Sequence, residues 1–212
     1  MPRPYVVAIT GASGVRYGIA LVRALIELKQ AVALVISDAG RLVIREEEGL
    51  ALSSLTRPDA LQKLLGVADM TLVQAYSSKD LAAPIASGSF PVAGMAIVPC
   101  SMGTLGAIAG GLSQNLIHRA ADCMIKEGRR LVLVPRETPL SAIHLENLLK
   151  LARLGVRIVP AMPGFYSGAR QIEDLVAFMV GKVLDQLDIE HACYPRWVGS
   201  LSAIPDEAEE SR

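Results

Sequence analysis

The stretch ITGASGVRYG (residues 9–18) leads from a short apolar run into a predicted helix and decides the fold class. Its glycines are Gly11, Gly14 and Gly18. A strand that enters a helix through a glycine turn is typical of α/β proteins that bind a phosphate, because the first amides of a helix lack intrahelical partners and attract anions. The same glycines would also allow a helix to pack closely on a strand.

A dinucleotide is the first candidate for that phosphate. Asp38 follows the predicted second strand, at about the distance where a dinucleotide-binding protein carries the acid for its ribose. The glycine spacing, however, fits neither G-x-G-x-x-G nor G-x-x-G-x-x-G, and the hydroxyl of Ser37 suits a phosphate better than a ribose. The residues alone leave a dinucleotide, a mononucleotide phosphate and plain packing open.

Short apolar runs alternate with amphipathic segments along the chain, and the continuous apolar character of the runs predicts a central parallel sheet covered by helices on both faces. Strands are predicted at 5–10, 32–37, 95–99, 131–135 and 156–161, and helices at 14–29, from 38, at 102–127, 140–154 and 171–187. Between 48 and 90 only LQKLLG and TLVQAY look regular. One apolar stripe of the last helix is expected to pack on the core: Ile172, Leu175, Val176, Met179, Val180, Val183 and Leu187.

Composition argues against several classes of function. The 212 residues suffice for one domain, and their 21 basic and 21 acidic side chains provide no overall field for nucleic acid or an anionic membrane. The uncharged segment 81–117 is interrupted by three prolines and six glycines, so we expect a subunit or ligand surface there rather than a membrane span.

The three cysteines, Cys100, Cys123 and Cys193, form no C-x-x-C pair, and the histidines show no metal-ligand spacing. We therefore expect a cytoplasmic protein without disulfide or metal. Cys100 follows a predicted strand without a visible base beside it, so it is interpreted as a small apolar core residue rather than a nucleophile.

Hydroxyls, glycines and charges follow the predicted strands. Ligands of open parallel sheets bind beyond the carboxyl ends of the strands, so these residues are expected to meet at one edge. The segments concerned are 11–14, 37–40, 100–104, 136–137 and 163–166.

Several longer motifs are more specific than the glycine turn. In chain order they are GASGVRYG, ASGSF, VPCSMGTLGAIA, NLIHRAAD, KEGRRLVLVPRETPL, HLENLLKLARLG, PAMPGFY and PRW. Together they span nearly the whole chain and closely resemble the UbiX-like flavin prenyltransferases. The resemblance implies a three-layer Rossmann-like or flavodoxin-like fold, with a single flavin-binding domain at 1–200, a disordered tail at 201–212 and assembly into a homododecamer.

The resemblance further implies an enzyme that needs no metal. Such proteins transfer a dimethylallyl group from dimethylallyl phosphate to N5, and then C6, of reduced FMN, which is a substrate. Their product, prenylated FMN, serves a UbiD-like decarboxylase, and the family is linked to ubiquinone biosynthesis. Matching positions for FMN are Gly11, Ala12, Ser13, Ser37, Ser101, Met102, Gly103, Thr104, Arg119 and Arg136. Residues 101–104 also read as an ordinary helix N-cap, which is compatible with that role.

A second anion site is implied for dimethylallyl phosphate. Its matching positions are Ser87, Gly88, Lys126, Arg136, Glu137, Tyr166 and Lys182, with Ser89 beside them. Lys182 stands where the family usually has arginine, so the bidentate fork of a guanidinium is lost there. Two simpler interpretations remain open: an exposed i,i+4 pair between Asp122 and Lys126, and a surface ion pair for Glu137.

Catalytic roles are implied for Glu137, Glu47, Trp197 and Ser13. Glu137 would give its proton to the leaving phosphate, and Glu47, in REEEG, would assist later steps. Trp197, the only tryptophan, would stabilise allylic cation character across a subunit boundary, or would simply pack at the interface.

Two functions of other kinds are weighed against prenyl transfer. Flavin-dependent cysteine decarboxylases share a related fold but carry a histidine base and a P-x-M-N-x-x-M-W stretch, where this chain has PAMPGFY. A non-catalytic flavin-binding shell would need no second anion site, and an NAD(P)-dependent oxidoreductase is a third alternative. The motifs favour prenyl transfer.

Overall fold

The computed structural model describes residues 3–52 and 58–197, and the predicted tail at 201–212 lies outside them. Within the described residues the strands are β1 (Tyr5–Ile9), β2 (Val32–Ile36), β3 (Val73–Ser77), β4 (Gly94–Cys100), β5 (Leu131–Pro135) and β6 (Arg157–Ile158). They form one parallel sheet in the order β3-β2-β1-β4-β5-β6. The chain builds outward from β1 to β3, then returns to the other side of β1 with β4. The topological switch point therefore lies between β1 and β4, as in a doubly wound α/β fold, which confirms the predicted fold class.

The predicted strands and helices are found in order. Between 48 and 90, a third helix and β3 form at the two stretches that look regular in the sequence, LQKLLG and TLVQAY. The helices are α1 (Val15–Glu27), α2 (Asp38–Glu48), α3 (Pro58–Leu65), α4 (Met102–Ala109), α5 (Leu116–Lys126), α6 (Ala142–Arg153) and α7 (Ile172–Gln186), with 3-10 turns at Pro84–Ala86 and Phe165–Ser167. None of the helices so described is long and apolar enough to cross a membrane.

Alternate residues of each strand face two separate cores. Val7 and Ile9 of β1 belong to the core under α1 and α7, whereas Val6 and Ala8 belong to the core under α4, α5 and α6. The sheet is thus covered on both faces, as the continuous apolar strands predict. A consequence for the site is that α5 and α7 lie on opposite faces of the sheet.

The single helix predicted at 102–127 is wrong. α4 ends at Ala109, and Gly111 adopts a left-handed conformation with a φ of 71°. Asn115 then caps a new helix, because its side-chain oxygen accepts a hydrogen bond from the His118 amide at 2.9 Å. The glycine pair and the N-cap therefore outweigh the apolar periodicity that runs through the segment.

Two further predictions need correction. The strand predicted at 156–161 is a strand only at Arg157–Ile158, although the Val159 and Ala161 amides still donate to the Leu133 and Pro135 carbonyl oxygens at 2.8 and 3.1 Å. Ile172 does not pack on the core with the rest of its stripe: it begins α7 and is 61% exposed.

Gly18 brings α1 unusually close to the sheet. A Cβ at this position would lie 2.8 Å from Ile9 Cγ1 and closer still to the Val98 carbonyl oxygen. Tight packing of helix on strand, one of the two interpretations of the glycine turn, therefore explains Gly18.

We expect Gly18→Ala to lower the free energy of unfolding by about 1–3 kcal/mol, because overpacking outweighs the better helix propensity of alanine. Gly106→Ala is the matched control, since its Cβ would meet only Asn147 Nδ2, at 3.6 Å. That variant should be as stable as the parent or more so. The stability of both variants is measured by the urea concentration at which half of the helical circular dichroism signal is lost. A Gly18→Ala variant as stable as the parent would contradict the packing argument.

Candidate flavin site at the switch point

The loops that follow β1 and β4 are tied together by one side chain. The Thr10 hydroxyl donates to the Pro99 carbonyl oxygen at 2.8 Å and accepts the Ser101 amide at 2.8 Å. Both bonds lie at the carboxyl ends of the two strands that flank the switch point. Thr10 thereby holds the two walls of the crevice at a set separation. Thr10 is not among the residues predicted from the sequence, although a polar β-branched side chain at the end of an apolar strand is a usable signal.

The N-terminus of α1 already binds an anion from within the chain. The Glu47 carboxylate accepts the Gly14 amide at 3.0 and 3.1 Å and the Val15 amide at 3.2 Å. Gly14, with a φ of 95°, turns these amides toward it. A bound phosphate would therefore use other donors of the turn than these two amides. The contact also separates Glu47 from its neighbours in REEEG, since Glu46 pairs with Arg45 and Glu48 with Arg16.

Three serine hydroxyls mark the same edge of the sheet. Ser37 caps α2 by accepting the Gly40 amide at 2.9 Å, and Ser101 caps α4 by accepting the Thr104 amide at 3.2 Å. The Ser37 hydroxyl keeps its own proton for a further acceptor, so capping and ligand binding are compatible there, whereas the Ser101 hydroxyl donates to Thr104 Oγ1 at 3.0 Å. The Ser13 hydroxyl is exposed and makes no hydrogen bond to the described residues. The N-termini of α1, α2 and α4 converge here, which favours an anion.

Arg136 follows β5 at this edge and carries an unsatisfied donor. Its Nε is buried and has no hydrogen-bond partner among the described residues. Buried polar atoms are almost always hydrogen-bonded in native proteins, so an orphaned guanidinium N–H indicates a missing acceptor. The phosphate or the carbonyl oxygens of a flavin would supply one, and the donors at this edge therefore fit FMN.

Glu137 lies next to Arg136, and its side chain is exposed. Its carboxylate accepts the Thr138 amide at 2.9 Å and forms no ion pair with any described residue. The surface ion pair weighed for this residue is thus not formed there. A carboxyl group without a cationic partner remains available to exchange a proton with a ligand.

Asp38 is engaged with cations of its own chain. It pairs with Arg41 in the same helix and with Lys79 at 3.3 Å. Hydrogen bonds from these two residues hold the pKa of the Asp38 carboxyl below its usual value. This arrangement disfavours the dinucleotide interpretation, in which the carboxylate would accept from a ribose.

Cys100 ends β4 with its side chain fully buried. Burial raises the pKa of the thiol, so it stays protonated and packs as a small apolar group. Within the part of the chain that the structure describes, no group of three or more His, Cys, Asp or Glu side chains is placed to hold a metal ion.

A second group of predicted site residues lies along α5 and the loop ahead of β4. Gly88 packs against the Lys126 ammonium, since a Cβ at Gly88 would lie 2.6 Å from its Nζ. Arg119 donates to the Ala86 carbonyl oxygen at 2.9 Å, and the hydroxyls of Ser87 and Ser89 bond each other at 2.8 Å. Ser87, Gly88, Arg119 and Lys126 therefore form one connected surface.

The i,i+4 pair weighed between Asp122 and Lys126 is wrong. Asp122 pairs instead with Arg119 at 2.7 Å, and Lys126 pairs with Glu127. Arg119 and Lys126 both lie one turn from Asp122, but Arg119 Nη1 reaches its carboxylate while Lys126 is paired with the adjacent Glu127.

This second group is not at the edge that carries Arg136. Lys126 ends α5 five residues before β5 begins, whereas Arg136 follows the last residue of β5. The two cations are therefore at opposite ends of the same strand, the amino and the carboxyl end.

The remaining predicted residues belong to α7 and to segments near it. Lys182 lies on α7, which covers the opposite face of the sheet from α5, and Trp197 is 69% exposed. Tyr166 lies in the 3-10 turn that follows β6, and its side chain is outside the described part. In one chain the predicted site residues therefore lie in three separate places: the carboxyl edge of the sheet, the surface along α5, and α7 with the segments near it.

The comparisons with known proteins identify the class to which this fold and site belong. A family model described as Flavoprotein matches residues 2–184. A flavin prenyltransferase UbiX of Halalkalibacterium halodurans is 53% identical over 193 residues, which cover 91% of this chain and 92% of that protein. The chain belongs to the Flavoprotein family and, within it, to the UbiX flavin prenyltransferases.

Solved structures agree with this assignment. AnUbiX (PadA1), in complex with FMN and dimethylallyl pyrophosphate, is 42% identical with a TM-score of 0.81, covering 94% of this chain and 99% of that one. A dodecameric FMN-dependent Ubix-like decarboxylase from Escherichia coli O157:H7 is also 42% identical, with a TM-score of 0.80 and coverage of 92% and 100%. The resemblance seen in the motifs is confirmed.

Replacing Glu47 with alanine should lower the free energy of unfolding by about 0.5–2 kcal/mol, because the α1 N-terminus loses its capping carboxylate. The thermal midpoint measured without flavin checks this. Glu46→Ala is the control, because Glu46 contacts only Arg45 on the surface. Equal midpoints for the two variants would show that the Glu47 contact contributes nothing to stability.

Proposed function

We propose that this protein is a flavin prenyltransferase that joins the dimethylallyl group of dimethylallyl phosphate to N5 and C6 of reduced FMN. The observation that carries the proposal is the unsatisfied Arg136 Nε at the same sheet edge as three helix N-termini and their serine hydroxyls. That donor set fits a flavin phosphate, and the family membership supplies the chemistry. FMN is consumed as a substrate, and its bound form provides the nucleophilic nitrogen.

In this proposal the carboxyl edge holds FMN. The hydroxyls of Ser13 and Ser37 and the amides of the β1 turn bind the phosphate. Ser101 and Thr104 face the ring side of the crevice, where Thr10 holds their loop against β1. Arg136 donates its buried N–H to the flavin. The matched residues at this edge are Gly11, Ala12, Ser13, Ser37, Ser101, Met102, Gly103, Thr104 and Arg136, whereas Arg119, also matched, belongs to the second group on α5.

Cleavage of the allylic C–O bond leaves a phosphate with developing charge. Glu137, which has no ion-pair partner among the described residues, protonates that leaving group, and the adjacent Arg136 stabilises its charge. The carbon centre gains cation character as the bond breaks, and the ring of Trp197 offers its quadrupole to stabilise it.

The donor pocket is completed by neighbouring copies of the chain. Arg136 and Glu137 are at the carboxyl edge, Lys126 and Gly88 at the amino edge, and Lys182 on the other face, so a single copy does not bring them into one pocket. A homo-oligomer does so if different copies contribute the three groups, in the way that symmetric assemblies build shared sites. The exposed Trp197 is consistent with such a boundary. We propose a dodecamer, as in the related E. coli protein.

The product and location follow from the same chemistry. Prenylated FMN is a modified cofactor, so an enzyme that uses it, a UbiD-like decarboxylase, is the proposed recipient. The three free thiols, Cys100, Cys123 and Cys193, support a reducing compartment, and we propose the cytoplasm.

Anaerobic incubation of the protein with reduced FMN and dimethylallyl phosphate is expected to yield a flavin heavier by one five-carbon unit, detected by mass spectrometry. Dimethylallyl pyrophosphate, supplied in parallel, tells which ester is the donor. Glu137→Gln should slow transfer about 10²- to 10⁴-fold while FMN stays bound, because only the proton transfer is lost. Absence of the mass gain with either ester would overturn the proposed function.

The shared pocket predicts complementation between two inactive variants. Arg136→Gln and Lys182→Met should each lose transfer alone, while oligomers co-assembled from both should regain about a quarter of the wild-type sites, because some sites then combine one intact residue from each copy. The control is a mixture of the two separately purified variants under conditions without subunit exchange, which should stay inactive. If co-assembly restores no activity, each site takes both residues from the same copy, which would contradict the shared pocket.

A further inference from the structure

Asp185, near the end of α7, fastens the chain segment that follows the helix. Its carboxylate accepts the Tyr194 hydroxyl at 2.6 Å and pairs with Arg196 Nη1 at 2.7 Å and His191 Nε2 at 3.1 Å. Three side chains of one ten-residue segment, 188–197, therefore converge on a single carboxylate. We call this set the Asp185 cluster.

Both ring nitrogens of His191 are engaged. The Cys193 amide donates to Nδ1 at 3.1 Å, and Nε2 lies 3.1 Å from Asp185 Oδ1 and 3.2 Å from Arg196 Nη2. Only 1% of the His191 side chain is exposed. Because both ring nitrogens have a partner, this ring cannot turn without breaking a bond at a buried position.

Packing around Tyr194 closes the cluster against α7. A Cβ at Gly181 would lie 2.5 Å from the Tyr194 ring and 2.7 Å from His191 Cε1, so glycine is required for both rings to approach the helix. The Tyr194 ring also meets the Phe178 ring, with 5.0 Å between centroids. The segment is thus held by apolar contact and by charge.

The same cluster holds a residue of the proposed donor pocket. Lys182 Nζ lies 3.8 Å from Asp185 Oδ2 and 5.8 Å from the centroid of the Tyr194 ring. Burial raises the pKa of Asp185, but the hydrogen bonds from Tyr194, Arg196 and His191 outweigh it and lower the pKa below its usual value. The carboxylate is therefore charged at neutral pH and attracts the ammonium.

We propose that Asp185 is a positioning residue for prenyl transfer: it fastens segment 188–197 to α7 and so sets both Lys182 and Trp197 for the donor pocket. This inference rests on the proposed function. Asp185 touches neither flavin nor donor in it. Trp197 follows Arg196 directly, so its position depends on how the segment is anchored to α7.

Asp185→Asn tests the proposal, because the amide keeps the shape of the side chain but loses the charge. We expect kcat/KM for the donor to fall about ten- to a hundredfold through misplaced groups, with the affinity for FMN unchanged. Asp185→Glu should restore part of the loss. Asp188→Asn is the matched control: Asp188 is in the same segment but pairs with Arg130 on the surface, and its left-handed backbone, with a φ of 54°, suits asparagine.

The single tryptophan gives a readout that does not depend on catalysis. In Asp185→Asn, acrylamide should quench Trp197 fluorescence more strongly, and added FMN should quench it less, because the ring is no longer held near the flavin. Tyr194→Phe removes the hydrogen bonds of the hydroxyl with Asp185 and Arg196 and keeps the ring. It should change both signals in the same direction, and it replaces Asp185→Asn as the test if that variant does not fold.

Three outcomes would overturn the inference. One is Trp197 quenching and donor kinetics equal to those of Asp188→Asn. Another is a loss of FMN affinity that matches the loss of donor kinetics, since that would show a general structural role. The third is that Asp185→Asn changes Trp197 quenching relative to the wild type but leaves the donor kinetics unchanged. If the wild type forms no prenylated flavin, the proposed function fails instead, and the fluorescence still reports whether Asp185 anchors the segment.

Discussion

The rest of the site depends on the hydrogen bonds that Thr10 makes across the switch point. A doubly wound sheet opens a crevice where neighbouring strands send their loops in opposite directions, and a crevice binds a ligand well only if its walls are held apart at a constant distance. Thr10 connects the carboxyl ends of β1 and β4 through the Pro99 carbonyl and the Ser101 amide. The serine that caps α4 is therefore placed relative to the β1 turn by a single buried hydroxyl.

Competition for helix N-termini explains the arrangement at this edge. Glu47 takes the Gly14 and Val15 amides, although the glycine turn looks like a phosphate site in the sequence. The positive end of α1 then neutralises a carboxylate instead of acting alone on a ligand. The hydroxyls of Ser13 and Ser37 and the unsatisfied Arg136 remain as the donors for FMN.

The residues of the proposed donor pocket lie in three separate places of one copy, so the proposed assembly is what would bring them together. Lys126 and Arg136 lie at opposite ends of β5, and Lys182 is on the other face of the sheet. A pocket built from several copies can be dry and enclosed, which protects an allylic cation from water, while each copy remains a simple α/β layer structure. The Asp185 cluster fits this view, because a residue that acts on a neighbouring copy needs a rigid segment to carry it.

The sequence by itself determined the fold class, the order of the elements and the family. Apolar periodicity and the glycine turn act within a few residues, and the motifs such as VPCSMGTLGAIA are read directly along the chain. Local signals also decided the break between α4 and α5, where Gly111 and Asn115 stand, although periodicity alone joins the two helices into one.

Only the tertiary structure decided which charges meet. Asp122 pairs with Arg119 rather than Lys126, Glu47 rather than Glu46 or Glu48 reaches the α1 amides, and Asp185 gathers three side chains from a segment beyond its own helix. Such contacts depend on where side chains point and on elements that are distant in sequence. Neither property leaves a periodic pattern or a motif in the sequence. The physical reason is that hydrogen bonds and ion pairs are short-ranged and directional, whereas the hydrophobic pattern that sets the fold is not.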